Sequence, residues 1–330
     1  MFPVARAQEN VTSSTEAMTV TTEADRALVM EGAVLSDEPE ALEGVQVAEP
    51  KSVPSSFGLW WRNLGEQISV ALTFNPVKKA EKQLVFAEEK VKLAEYITQN
   101  STDPKVQDKA QQMLVKANEY MQKIENKKDD LVNSTDPNAK NLLKNIVRHQ
   151  INQTLVLDKL EDKLPPEKLE QFQQFRGQVE VRQENFLQNL QNNPKVPQEV
   201  KDKVSEVAAR VEVRVQERQE FRVEQKDLLD QIKTGNEQAK TEFETMRQDR
   251  QQQLQQVRRE FKQQRDEIIN QAKENNAGAT GDAKATNKIK VTDELKQLIQ
   301  EKTQAIQGVN QQVKNNAQEI KQRIENNPSN

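Results

Sequence analysis

The 330-residue chain is 34% hydrophobic, 4% aromatic and 30% charged, too little apolar material for a thick core and better matched to thin seams between helices. Cysteine is absent, which excludes disulfides, thiolate nucleophiles and Cys-based metal sites. The net charge of -4 divides unevenly: residues 8–56 carry ten acidic and two basic side chains, residues 57–330 sum to +3, and neither nucleic acid nor an anionic membrane is expected as the main partner.

Nine Gly in the whole chain, with abundant Gln, Glu, Lys, Ala and Val, favour long helices over turn-rich β structure. No stretch approaches the roughly 18 apolar residues that a membrane span needs. Residues 1–7 end in Ala5-Arg6-Ala7, the small-x-small pattern that precedes signal-peptidase cleavage, so they read as the tail of a signal peptide. Residues 8–53 are rich in Thr, Ser, Glu and Ala without a sustained period, the composition of a disordered acidic tether. A short helix around Ala24 to Met30 is the one element that this stretch suggests.

Beyond Pro54 the punctuation becomes regular. Asn75-Pro76, Asp103-Pro104, Asp136-Pro137, Pro165-Pro166 and Asn193-Pro194 fall 28 to 33 residues apart, each before a run of apolar periodicity. Asp or Asn before Pro predicts a helix start, because the side chain caps free N–H groups and Pro at the first position lacks only an N–H that would be unpaired anyway. Asn100-Ser101-Thr102-Asp103-Pro104 recurs as Asn133-Ser134-Thr135-Asp136-Pro137, which suggests an internally repeated hairpin, and both copies contain an Asn-x-Thr pattern.

Heptad-like stripes follow each start. Val77, Ala80, Leu84, Ala87, Val91 and Ala94 step by three and four, as do Val106, Ala110, Met113, Ala117, Tyr120 and Ile124. Ala139, Leu143, Ile146, Leu157, Leu160 and Leu164 mark the next helix, and Leu169, Phe172, Val179, Phe186 and Leu190 the one after it. Short connections between helices of similar length predict antiparallel neighbours. Residues 54–134 and 135–192 are therefore read as two successive helical regions.

Residues 197–275 predict long coiled-coil helices. Val211, Val213 and Val215 alternate as a strand would, but Val200, Val204, Val207 and Val211 step helically into them, and the stretch is read as helix. From Phe243 the seam Met246, Arg250, Leu254, Val257, Phe261, Arg265, Ile268 and Ala272 follows an eleven-residue period over nearly 40 residues. Arg250 and Arg265 are expected to lay their aliphatic stems on a partner while their heads reach Glu or water. Residues 276–291 read as a flexible linker and residues 292–326 as a C-terminal helix that folds back. The fold expected is all-α: long antiparallel helices forming an elongated bundle with a C-terminal coiled-coil hairpin.

Candidate chemistry is sparse. The sole histidine, His149, has neither a second His nor a Cys to share a metal and reads as a surface or seam residue. Glu88-Glu89, Asp129-Asp130 and Asp266-Glu267 alternate with Lys or Arg as solvated helix faces do. Arg247, Arg250, Arg258, Arg259, Lys262 and Arg265 suggest a nucleic-acid surface, but residues 235–275 hold eight basic and eight acidic residues and the field cancels. No catalytic, cofactor or metal site is read. The candidate interaction face is Phe57, Trp60, Trp61, Leu64, Ile68, Leu72 and Phe74, which places both Trp on one broad apolar side. Such a face either lies at a membrane interface or caps the bundle beside it; the cap is favoured because Leu84, Phe86 and Ala87 need a partner.

Pro54-Ser55-Ser56-Phe57, the segment through Trp61 and Ile68, Ala71-Leu72-Thr73-Phe74-Asn75-Pro76, Lys79-Ala80-Glu81 and Phe86-Ala87-Glu88-Glu89 carry a resemblance. Over about residues 54–130 the chain resembles the DUF5667 family, a helical domain of unknown function seen in bacterial envelope proteins. The resemblance implies an extracytoplasmic location, and some members sit in the outward-facing part of proteins resembling anti-sigma regulators. Asn75 stands where Asp is usual, and Trp60-Trp61 replaces a more basic stretch. The expectation is a non-enzymatic, extracytoplasmic interaction or scaffold protein that holds a protein partner or a second copy through its helix faces, with an envelope holdase or an anti-sigma-like sensor part as alternatives.

Overall fold

The computed structural model describes residues 35–53, 55–101, 103–276 and 281–326, without the side chains of residues 56–61, 276–289, 292 and 324–326. Nine α-helices and no strand occur among the described residues: α1 Ser56–Ala71, α2 Pro76–Asn100, α3 Pro104–Glu125, α4 Lys128–Val132, α5 Ala139–Glu161, α6 Pro166–Asn192, α7 Gln198–Lys233, α8 Glu237–Asn276 and α9 Gly281–Asn326. The signal-like residues 1–7 and the suggested helix at 24–30 lie outside the described residues.

The Asx-Pro junctions act as their chemistry requires. Asn75 Oδ1 accepts from Lys78 N at 3.0 Å to open α2, and Asp103 Oδ1 accepts from Lys105 N at 2.8 Å to open α3. The repeated pentapeptide is a shared turn. Asn100 and Asn133 each donate to the carbonyl four residues back, and Ser101 and Ser134 each accept from the N–H of the following Asp. Asp136-Pro137 and Asn193-Pro194 behave differently: Asp136 accepts from Asn138 N within a turn and α5 opens at Ala139, and Asn193 accepts from Lys195 N within a turn and α7 opens only at Gln198, after Pro197. Near the C-terminus, Gly281–Asn287, expected in a linker, already belongs to α9. Ala283, Lys284 and Ala285 are good helix formers, and Gly281 stands at the helix start, where it breaks nothing.

Side-chain pairs fix the helix directions. Thr154 with Gln183 and Glu161 with Arg176 run α6 back along α5; Gln191 with Ser205 and Glu170 with Lys233 run α7 back along α6. Glu217 with Arg258 sets α8 against α7, and Glu242 with Arg323 and Glu260 with Lys302 set α9 antiparallel to α8. The turn between α7 and α8 contains Gly235 at φ +88°, a left-handed conformation that suits glycine.

α5 is the central helix. The sequence stripe predicted one apolar face, yet every residue from Asn145 to Asp158 is inside, including Arg148, His149, Gln150, Asn152, Gln153 and Thr154. Leu142, Leu143, Ile146, Val147, Ile151, Leu155, Val156, Leu157 and Leu160 supply its apolar contacts, each contributing about 1.5–3 kcal/mol when fully buried. One large cluster joins α2 to α8 with part of α9; a smaller one joins Leu254 and Phe261 of α8 to Leu298, Ile299, Ile306 and Val309 of α9.

Residues 35–53 were expected to be tether. They lie instead as an irregular strap across the helices: Leu35 is buried in the smaller cluster, and Leu42 and Val53 pack on the larger one. The acidic composition that argued against a packed core is matched by charge from α5, α7 and α8. No helix among the described residues is long and apolar enough to cross a membrane.

Candidate functional site

The predicted face on α1 divides. The side chains of Phe57, Trp60 and Trp61 lie outside the described residues, Leu64 is half-buried, and Ile68, Leu72 and Phe74 are 52%, 69% and 92% exposed. Among the described side chains of α1, Glu66 and Val70 are the buried ones. Glu66 accepts from Lys90 Nζ at 2.6 Å, from Tyr120 Oη at 2.9 Å and from Arg62 Nε at 3.2 Å. Burial holds the Lys90 ammonium below its ordinary pKa although Glu66 opposes this, and burial with the Glu66 charge pushes the Tyr120 phenol up. Glu66 thus forms a polar hook that ties α1 to α2 and α3, while Ile68, Leu72 and Phe74 are turned to solvent.

Glu88 is not on a solvated face as its sequence neighbourhood suggested. It is buried between helices, with Oε2 2.6 Å from His149 Nδ1 and Oε1 accepting from Asn152 Nδ2 at 2.7 Å. His149 is a fully buried seam residue, and its role is to orient Glu88, which in turn fixes the Asn152 amide.

Asn152 and Asn145 grip the strap by its backbone. Glu40 N donates to Asn152 Oδ1 at 2.7 Å, and Asn152 Nδ2 returns a bond to Glu40 O at 2.9 Å. Glu43 N donates to Asn145 Oδ1 at 2.9 Å, and Glu43 O accepts from Asn145 Nδ2 at 2.8 Å and Asn141 Nδ2 at 2.9 Å. The two amides are seven residues apart on α5, about 10.5 Å along the axis. Glu40 and Glu43 are three residues apart, about 10 Å in extended chain. The registers agree.

Basic side chains take the strap's carboxylates. Arg210 Nη1 bonds Glu40 at 2.6 Å and Lys203 Nζ bonds it at 3.1 Å, while Arg148 pairs with Glu43. Arg214 Nη2 reaches Asp37 at 2.5 Å and Ser36 O at 2.7 Å; Arg258 pairs with Asp37 and Lys262 with Glu38. Burial would raise the Asp37 pKa, but Arg214 and Arg258 outweigh it and hold the carboxyl below its ordinary value. Hydrogen bonding by Arg148 does the same for Glu43.

Beneath the strap lies a buried ion cluster. Asp158 receives Arg176 at 2.7 Å, Arg214 at 3.1 Å and Arg218 at 3.2 Å. Glu161 receives Arg176 at 2.6 Å and Arg222 at 2.9 Å. Burial opposes ionisation of Glu161, yet Arg176, Arg222 and Arg218 prevail and its pKa falls to about 2. Arg250 departs from the expected snorkel: it is buried with its guanidinium 4.2 Å from the Phe221 ring centre, and burial and the neighbouring Arg218 lower its pKa to about 10. Arg265 does reach acids, Glu38 and Asp266. No group of His, Asp or Glu among the described residues is arranged to hold a metal ion.

Sequence reasoning passed over the strap groove although a signal was present. Arg210, Arg214, Arg218 and Arg222 recur every fourth residue, a single basic stripe in which Arg210 and Arg214 meet the strap and Arg214, Arg218 and Arg222 the ion cluster.

Residues 51–167 match the model of DUF5667, a domain of unknown function. The DUF5667 segment reaches further than the resemblance placed it, taking in α1 to α5 and the start of α6. It therefore includes the α1 hook, Glu88, His149 and both backbone-gripping Asn residues of α5, while Arg210, Arg214 and Arg258 lie beyond it. No curated protein and no solved structure matches the chain.

Proposed function

We propose that this protein is a non-enzymatic, extracytoplasmic interaction protein that holds a protein partner, or a second copy of itself, on its helix faces. The observation that carries the reading is the exposed trio Ile68, Leu72 and Phe74. Five large hydrophobic side chains are exposed among the described residues, and these three fall within seven positions at the end of α1. Scattered apolar residues on a surface need no explanation, but a contiguous group marks a contact site. The Ala5-Arg6-Ala7 pattern and the DUF5667 resemblance support a location outside the cytoplasm.

The test is a photo-crosslinking residue at Leu72 or Phe74 of the tagged protein in cells, followed by mass spectrometry. One or two recurrent adducts support the reading, and self-adducts alone favour a homo-oligomer. A wide spread of partly unfolded proteins would replace it with a holdase. Turnover of a substrate by the purified protein, abolished by a point mutation, would overturn it.

A further inference from the structure

We propose that the groove walled by α5, α7 and α8 is a receptor site for an extended acidic segment of a partner protein, which residues 36–44 occupy in cis. This deepens the interaction reading above, at a surface separate from Ile68, Leu72 and Phe74.

Three features make the groove a peptide site and the strap its ligand. The first is backbone recognition. Asn145 and Asn152 each bond both the N–H and the C=O of one strap residue, and their spacing of two helical turns matches three residues of extended chain. Paired amide contacts of this kind read the backbone and are indifferent to the side chain above it; the strap carries them up to Glu43, where it turns through Gly44 at φ +70°. The second is charge recognition. Arg210, Arg214, Arg148 and Lys203 meet carboxylates at positions 37, 40 and 43, one every three residues, so the sequence read is acidic at that interval. The third is preorganisation. Asn152 is fixed by Glu88, which is braced by the buried His149, and Arg214 is fixed by Asp158, so the receptor groups are held by the helices as well as by the strap.

The cis ligand leaves part of the site unmatched. Nε of Arg210 and of Arg214 is buried without a hydrogen-bond partner, in side chains only 3% and 2% exposed. An acidic segment that reaches these donors has more to bond than the strap does. The strap is also irregular, and between residues 36 and 44 it is held by ion pairs and by backbone bonds to Asn141, Asn145 and Asn152 and not by a regular ladder. Tethering places it at an effective concentration of order mM, which a partner must exceed. The strap thereby sets a threshold on partner binding.

The test uses the full chain and a fluorescein-labelled peptide of residues 34–46, VLSDEPEALEGVQ, read by anisotropy. In the variant Asp37→Asn/Glu40→Gln/Glu43→Gln the chain's own strap is weakened. It should bind the peptide at least tenfold more tightly than the wild type does, and tenfold more tightly than it binds a peptide of the same composition in scrambled order. Adding Asn145→Ala and Asn152→Ala should remove that preference. Equal binding of native and scrambled peptides, or no binding by a triple variant of wild-type helicity, would overturn the proposal. Should the triple variant not fold, hydrogen exchange of residues 38–44 in the wild type decides: 1 mM peptide must accelerate it, and unchanged exchange refutes the site. Failure here leaves crosslinks from Leu72 and Phe74 untouched, so the two readings fail separately.

Discussion

Asp158→Asn isolates the electrostatics of the core with almost no change in shape. The carboxylate is buried and receives three guanidinium groups, from Arg176, Arg214 and Arg218, at 2.7, 3.1 and 3.2 Å. Removing one partner of a buried ion pair usually costs about 3–5 kcal/mol, because the remaining charge is left uncompensated away from water. Here each arginine keeps another acid: Arg176 keeps Glu161 and Glu180, Arg214 keeps Asp37, and Arg218 keeps Asp162. The loss should therefore fall near the lower end, about 3 kcal/mol. With a urea m-value of about 3 kcal/mol/M for a chain of this size, the unfolding midpoint should drop by about 1 M. Circular dichroism at 222 nm during urea titration at pH 7 reads it, with the exposed Asp129→Asn as a control that should move stability by no more than about 0.5 kcal/mol. A midpoint shift below about 0.3 M for Asp158→Asn would show that the cluster is not held by charge compensation.

Glu161 has a folded pKa depressed from 4.5 to about 2, so its contribution is complete above pH 4.5 and is lost as pH falls towards 2. The depression corresponds to about 3 kcal/mol, and a urea midpoint that is equal at pH 7 and pH 3 would contradict it. Glu66→Leu strands the buried Lys90 ammonium and should cost about 3 kcal/mol, with faster hydrogen exchange across residues 62–71 as α1 detaches; unaltered exchange there would mean that the hook does not hold the helix. Leu72→Ser with Phe74→Ser should leave stability within about 0.5 kcal/mol while abolishing partner crosslinks from a photo-crosslinking residue placed at Ile68, and a large loss of stability would place these residues in a packed interface. At Gly235 a Cβ meets nothing within 4 Å, so Gly235→Ala tests conformation alone and should cost about 1–2 kcal/mol for its positive φ, measured by the same titration.

Much of the architecture was legible because it rests on local chemistry. Asn75-Pro76 and Asp103-Pro104 open helices through side-chain caps that depend on neighbours two or three residues away. The stripes from Val77 to Ala94 and from Val106 to Ile124 reported a buried face because periodicity is a property of the helix itself. The polar groups were illegible for the converse reason. Glu88, Asn145, Asn152 and Asp158 look like solvated residues, since a side chain that will be paired inside and one that will meet water have the same identity. Only the partner tells them apart, and Glu88 and His149 are 61 positions distant in sequence.

The strap makes the same point at larger scale. Residues 36–44 have the composition of disorder because they bring little apolar surface of their own, and what offsets their ordering is a set of arginines more than 100 positions away. By itself the sequence determined most of the long helices, their order and, through short connections, their antiparallel pairing, since capping and periodicity act over one or two turns, while some helix ends, such as the start of α9 at Gly281, were not legible. The tertiary structure alone decided that α5 is enclosed on all sides, that the α1 hook turns Ile68, Leu72 and Phe74 outward, and that an acidic segment lies in a basic groove. Burial and charge pairing belong to distances through space, which a linear pattern does not encode.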